Sequence, residues 1–224
     1  MSILAAAWVF AGGDAMGQTV PTVPQSEASA IIEVTRLLSS VEARLTVADS
    51  TSRGPLLLER LRLLYFLSVD QEEHLTAAKE QIERMTQGEG ASEAVLSAFD
   101  AALEVVRGKH AFWPHQKVSR VREGLSSLDD LVSAYPNEPE VRYLRLMSCF
   151  YLPFFFRRGG TAEADLEALG GLLAQTRGTL SRRAYGAVGE FVLSEATLDP
   201  TDRADLQRAL DEAANEREFV VRVP

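Results

Sequence analysis

Apolar residues recur at every third or fourth position through most of this chain, the spacing of a helix with one buried stripe. Ile31, Val34, Leu38, Val41 and Leu45 form the first stripe, within Glu27–Val47. The polar stretch Ala48–Gly54 closes it. Pro55–Val69 then reads PLLLERLRLLYFLSV, apolar nearly all round apart from Glu59, Arg60 and Arg62. Such a helix is packed on several sides, and its internal charges argue for a protein core over a membrane. Asp70, with Glu73 three places on, predicts an N-cap and capping box. Leu75, Ala78, Ile82 and Met85 supply the next stripe, which ends at Gln87-Gly88-Glu89-Gly90. Ser92–Arg107 turns Val95, Phe99, Ala102 and Val106 inward.

The chain is organised around Gln116–Phe156, which reads as two helices folded back on each other. The first arm carries Val118, Val121, Leu125, Leu128 and Val132 on one face; the second carries Val141, Leu144, Met147 or Ser148, and Tyr151. Pro136 ends the first arm, because proline cannot donate to the helix ladder and biases Tyr135 away from helical geometry. Asn137 is the expected cap of the second arm, with Pro139 in its first turn and Glu138 and Glu140 at its positive end. So short a connection makes the arms antiparallel. Three further helices follow: Thr161–Gln175 (Leu166, Leu169, Leu172, Leu173), Leu180–Ala196 (Tyr185, Val188, Phe191, Val192) and one from Asp199 (Leu206, Leu210, Ala213 or Ala214). Gly159-Gly160 and Gly170-Gly171 read as helix-end caps.

The run Gly124-x3-Leu128-x2-Leu131-x4-Pro136-Asn137-Glu138-Pro139-Glu140-Val141 resembles the join between two tetratricopeptide (TPR) repeats. In that family a small residue, a large apolar residue, a small apolar residue and a proline recur at those intervals. Leu131 stands where the family has alanine, and Arg142 and Leu146 stand near positions where the next repeat takes an aromatic residue and a glycine. The match covers roughly one repeat length of about 34 residues. The resemblance implies an all-α fold of stacked antiparallel helical hairpins, a TPR-like or α-solenoid bundle of about eight helices, with a groove for a protein or peptide.

The N-terminal run Ile3–Gly12 (ILAAAWVFAG) has the length of a signal-peptide core and is too short for a membrane span. Cleavage is expected near Gly17, after the small residues Ala15-Met16-Gly17. The organisation expected is therefore a signal peptide at 1–17, a linker at 18–26, one helical domain at 27–218 and a tail at 219–224. Localisation is expected to be periplasmic or secreted, with a cytoplasmic protein keeping a docked apolar tail as the alternative. With no cysteine near its end, the run does not read as a lipoprotein anchor.

Across 224 residues the net charge is −9. An acidic surface favours solubility and opposes nucleic acid or anionic membranes, where basic residues supply most of the affinity. The one cysteine, Cys149, rules out an intrachain disulfide and a multi-cysteine zinc site; within an apolar helix it reads as a buried, inert thiol.

Three groups are candidate sites. His110, Trp113 and His115 lie in Gly108–His115 (GKHAFWPH), the least regular interior stretch. They are expected to plug two hairpins together, with a ligand-contacting loop as the alternative; a metal would need two further donors. Arg142 and Arg145 are expected to pair with Asp129 or Asp130 across the hairpin, the alternative being bidentate recognition of a partner's carboxylate. Phe154–Arg158 is expected to be a core wedge after Pro153, or else an exposed aromatic and basic patch for a partner, with Phe155 and Arg157 as its contacts.

No Gly-x-Ser-x-Gly elbow, phosphate-cradling glycine loop, HExxH or DxDxDG is present, and no catalytic residue, metal or cofactor is expected. The preferred reading is a non-catalytic interaction or scaffold module for an unidentified protein or peptide. A second is a helical small-molecule-binding or enzymatic domain with its pocket near Trp113, His115 and Arg145. A third is a subunit stable only within a larger oligomer.

Overall fold

The computed structural model describes residues 25–86, 91–176 and 180–215, with side chains from residue 29. The protein is all-α: among these residues lie nine α-helices, one short 3-10 turn and no strand. They are α1 (Gln25–Leu45), α2 (Ser50–Ser68), α3 (Glu73–Thr86), α4 (Glu93–His110), α5 (Pro114–Ala134), α6 (Pro139–Phe150), the 3-10 turn (Phe154–Phe156), α7 (Gly159–Gln175), α8 (Arg182–Glu195) and α9 (Pro200–Asn215). The expected signal peptide, most of the linker, the Gln87–Gly90 turn and the C-terminal tail lie outside the described residues. None of the described helices is long and apolar enough to cross a membrane.

Each helix packs on the next in the chain; α4 also meets α2 and α6, and α7 meets α9. The core is continuous across these contacts. α2 contributes seven buried leucines, Leu56, Leu57, Leu58, Leu61, Leu63, Leu64 and Leu67, each worth about 1.5–3 kcal/mol when removed from water. α4 is buried over most of its surface: Val95, Phe99, Ala102 and Val106 on the predicted stripe, and Leu96, Leu103 and Val105 away from it, with only the stripe Glu93, Ser97, Asp100 and Arg107 left exposed.

The Gln116–Phe156 hairpin forms as α5 and α6, yet each arm packs more extensively on its other neighbour, α5 on α4 and α6 on α7. Two glycines explain the first pairing. A Cβ on Gly124 would stand 2.5 Å from the Ala101 carbonyl oxygen, and one on Gly108 would stand 2.7 Å from Val121 Cγ2. With hydrogen at those positions the two backbones approach closely.

Several helix ends differ from expectation. α2 begins before Pro55, because Asp49 is its cap and accepts the Ser52 N–H at 2.8 Å; Pro55 sits in the second turn, where it forgoes one ladder bond. The capping box at Asp70 does not form: the Asp70 carboxylate takes the Lys109 ammonium at 2.8 Å, and α3 starts at Glu73. The residue capping α6 is Glu138 rather than Asn137, with no side-chain bond. Gly170-Gly171 lie inside α7, and Gly170 makes room for Leu198. Ser92, Ser181 and Asp199 do cap α4, α8 and α9 through their side-chain oxygens.

Candidate functional site

Arg142 and Arg145 stand one turn apart on α6, and both turn inward. Their common partner is Asp165 of α7, which has no exposed surface. Arg145 grips it as a fork, Nε to Oδ2 at 2.8 Å and NH2 to Oδ1 at 2.7 Å, while Arg142 NH1 reaches Oδ1 at 2.9 Å. Arg145 also meets Asp129 at 3.2 Å, as expected across the hairpin, and Arg158 holds the other oxygen of Asp129 at 2.6 Å. Arg142 donates twice to the Pro136 carbonyl, pinning the α5–α6 turn. The bond to Asp165 raises the Arg145 pKa against the effect of its own burial. Both guanidinium groups are thus engaged within the protein.

Of the other candidates, Trp113, His115, Phe155 and Arg157 are exposed and His110 is half-buried. The irregular stretch before α5 shrinks to 111–113 because α4 runs on to His110, whose Nε2 lies 2.8 Å from the Ser68 carbonyl oxygen. The aromatic plug does not form: Phe112 is 83% exposed and Trp113 55%, and the Trp113 ring stacks over an exposed His115. Trp113 and the Asp129–Arg145 contact are separated by about 24 Å along α5 at 1.5 Å per residue, so Trp113, His115 and Arg145 share no pocket.

The expected core wedge is also overturned. Pro153 is followed by a 3-10 turn that holds Phe154 92% and Phe155 55% exposed. Arg157 closes the turn in the left-handed region (φ 55°, ψ 41°), a conformation that is strained for a residue with a Cβ. Three successive phenylalanines cannot share one buried face when each is rotated about 120° from the last; only Phe156 packs against the core. In the antiparallel α5–α6 hairpin, the start of α5 and the end of α6 both lie away from the Pro136 turn, so the two exposed aromatic groups open toward the same end.

A cavity of about 250 Å³ lies between α1, α2, α6 and α8, with Phe99 of α4 at its base. Glu140, Tyr143, Leu144, Met147 and Tyr151 line it along one face of α6, and Glu59, Arg62, Leu63, Phe66 and Val69 along one face of α2. Both series run from charged to apolar. At the charged end Arg62 meets Glu140 as fork on fork, Nε to Oε1 at 2.6 Å and NH2 to Oε2 at 2.7 Å. Glu59 shares the same guanidinium at 3.4 Å and accepts the Ser181 hydroxyl at 2.8 Å, a contact between residues 122 apart in sequence. Burial works to lower the Arg62 pKa, but the neighbouring carboxylates of Glu140 and Glu59 outweigh it and the net shift is upward. Burial pushes the Tyr65 phenol up to about 12 and that of Tyr143 higher still. Nothing local in the sequence pairs Arg62 with Glu140; the only cue is charge on a helix otherwise apolar all round.

Among the described residues no group of three or more histidine, cysteine, aspartate or glutamate side chains is placed to hold a metal ion. No protein-family model, curated protein or solved structure matches this chain.

Proposed function

We propose that the protein is a non-catalytic interaction module that docks a protein or peptide partner through the Phe154–Arg157 turn. The observation that carries this reading is the exposure of Phe154 and Phe155 on a short turn fixed by the left-handed Arg157. Aromatic rings held outward beside a guanidinium supply the large, rigid contacts that dominate interfaces. Helix pairs packed in chain order support a TPR-like stack. Gly124, which stands at the small-residue position of that family's pattern, seats α5 against α4 and fits the same reading. Export, with removal of the leader near Gly17, belongs to this proposal, as does the absence of any nucleic-acid partner from so acidic a chain.

The test is a comparison of two baits, the full chain and a Phe154→Ser/Phe155→Ser/Arg157→Ser variant with an unchanged thermal transition. A partner retained by the first and released by the second supports the module. Partners retained equally by both, or by neither, overturn it.

A further inference from the structure

The cavity between α2, α6 and α8 is separate from the Phe154–Arg157 turn, and its chemistry is one-sided. Glu59 and Glu140 bring two carboxylates to one guanidinium, that of Arg62. Both oxygens of Glu140 are taken by Arg62; of Glu59, Oε2 accepts from Arg62 and Ser181, which leaves Oε1 with spare accepting capacity. Glu33 and Arg183, both exposed, add one charge of each sign to the lining. The polar end of the cavity therefore carries one negative charge in excess, beside groups mostly withdrawn from water, where an unmatched charge is expensive.

Tyr143 lies one turn beyond Glu140 on the same face of α6, and its phenol has no hydrogen bond to any described residue. Its ring and that of Tyr65 lie next to the charged end and offer π-faces that attract a cation. From Glu59 to Val69 the cavity wall extends about 15 Å along α2. Beyond Arg62 the walls facing it are Leu63, Phe66 and Met147, with Ala184, Ala187 and Val188 opposite on α8. The site is thus long, greasy at one end and anionic at the other.

We propose that this cavity binds a single-chain amphiphile with a cationic head, an alkyl amine or alkyl ammonium. Its tail runs between Leu63, Phe66 and Met147, and its head rests beside Glu59 and Tyr143. An alkyl carboxylate would set a third carboxylate beside Glu59 and Glu140, and an alkyl alcohol would leave the excess charge unmatched.

The test is isothermal titration of the full chain with dodecylamine, dodecanoate and dodecanol, each below its aggregation concentration. Dodecylamine is expected to bind at least tenfold more tightly than either of the others. Glu59→Gln is expected to shrink that preference to under threefold while leaving tail binding in place. Ala187→Phe, which fills the cavity from α8, is expected to abolish binding of all three; Ala30→Phe does so from α1 if the first variant does not fold. Equal binding of dodecanoate and dodecylamine, no binding of dodecylamine, or binding undiminished in a folded cavity-filled variant overturns the proposal. The outcome is independent of the Phe154–Arg157 turn, whose triple variant is expected to titrate like the parent chain.

Discussion

Arg62 of α2 and Glu140 of α6 meet in a two-pronged ion pair, 2.6 and 2.7 Å long, across 78 residues of chain. Both side chains are nearly withdrawn from solvent, so each is tolerated because the other is there. Removing Arg62 leaves two carboxylates, Glu140 and Glu59, without their common cation, at about 3–5 kcal/mol. Arg62→Met is expected to lower unfolding stability by that amount in urea titration. The double substitution Arg62→Met/Glu140→Leu is expected to cost less than the sum of the single changes, since the Glu140 carboxylate is removed with its cation and only Glu59, still bonded to Ser181, is left without one.

Asp165 poses the same problem with two cations. Asp165→Asn is expected to destabilise the fold by about 3 kcal/mol, because Arg142 and Arg145 lose the charge that compensates both. Phe154→Ser, in contrast, is expected to change stability by less than about 0.5 kcal/mol. Parallel urea titrations of the two variants check whether the arginines hold the fold while the phenylalanine serves the surface.

Two glycines within helices are expected to respond in opposite directions. Gly124→Ala gains helix propensity but drives a methyl to 2.5 Å from the Ala101 carbonyl oxygen and 2.9 Å from the Val105 amide nitrogen. Neither backbone can yield without separating α4 from α5, so a loss of about 1–3 kcal/mol is expected. A Cβ on Gly171 meets nothing, and Gly171→Ala is expected to stabilise by about 0.5–1 kcal/mol. Melting temperatures of the two variants, falling for the first and rising for the second, decide the matter.

Burial pushes the Cys149 thiol up from 9.0 to about 12. The native protein is expected to resist thiol-modifying reagents at pH 8 and to react fully in urea. Because the folded value lies above the unfolded one, this group's contribution to stability is intact below pH 9.0 and is lost as pH rises through about 12. The unfolding midpoint of Cys149→Ala is therefore expected to fall less steeply with pH than that of the parent over that window.

The helices were legible because their signal is local. The stripes Leu75, Ala78, Ile82, Met85 and Val95, Phe99, Ala102, Val106 are buried as their spacing requires. Helix starts were legible where no competitor existed, as at Ser92 and Asp199, and a cap was misleading where a distant group won, as when Lys109 took Asp70. Gly170-Gly171 looked like a terminus because the sequence does not show Leu198 waiting to fill the notch. The cavity was illegible for the same reason: Glu59, Arg62, Glu140 and Ser181 come from three separate segments, and no periodicity within one helix announces a partner in another. Arg145 with Asp129 could be foreseen because a short hairpin brings them together; Asp165 lies one helix further on.

A row of helix pairs left open can gain or lose a pair without disturbing the others. Here a hydroxyl at the head of α8 touches a carboxylate of α2 at 2.8 Å, so the path from α2 outward must bend back to where it began. One more pair would overshoot Glu59, and one fewer would stop short of it. Either change would strip a wall from the space enclosed, which makes the number of helices between those two residues a dimension of the molecule.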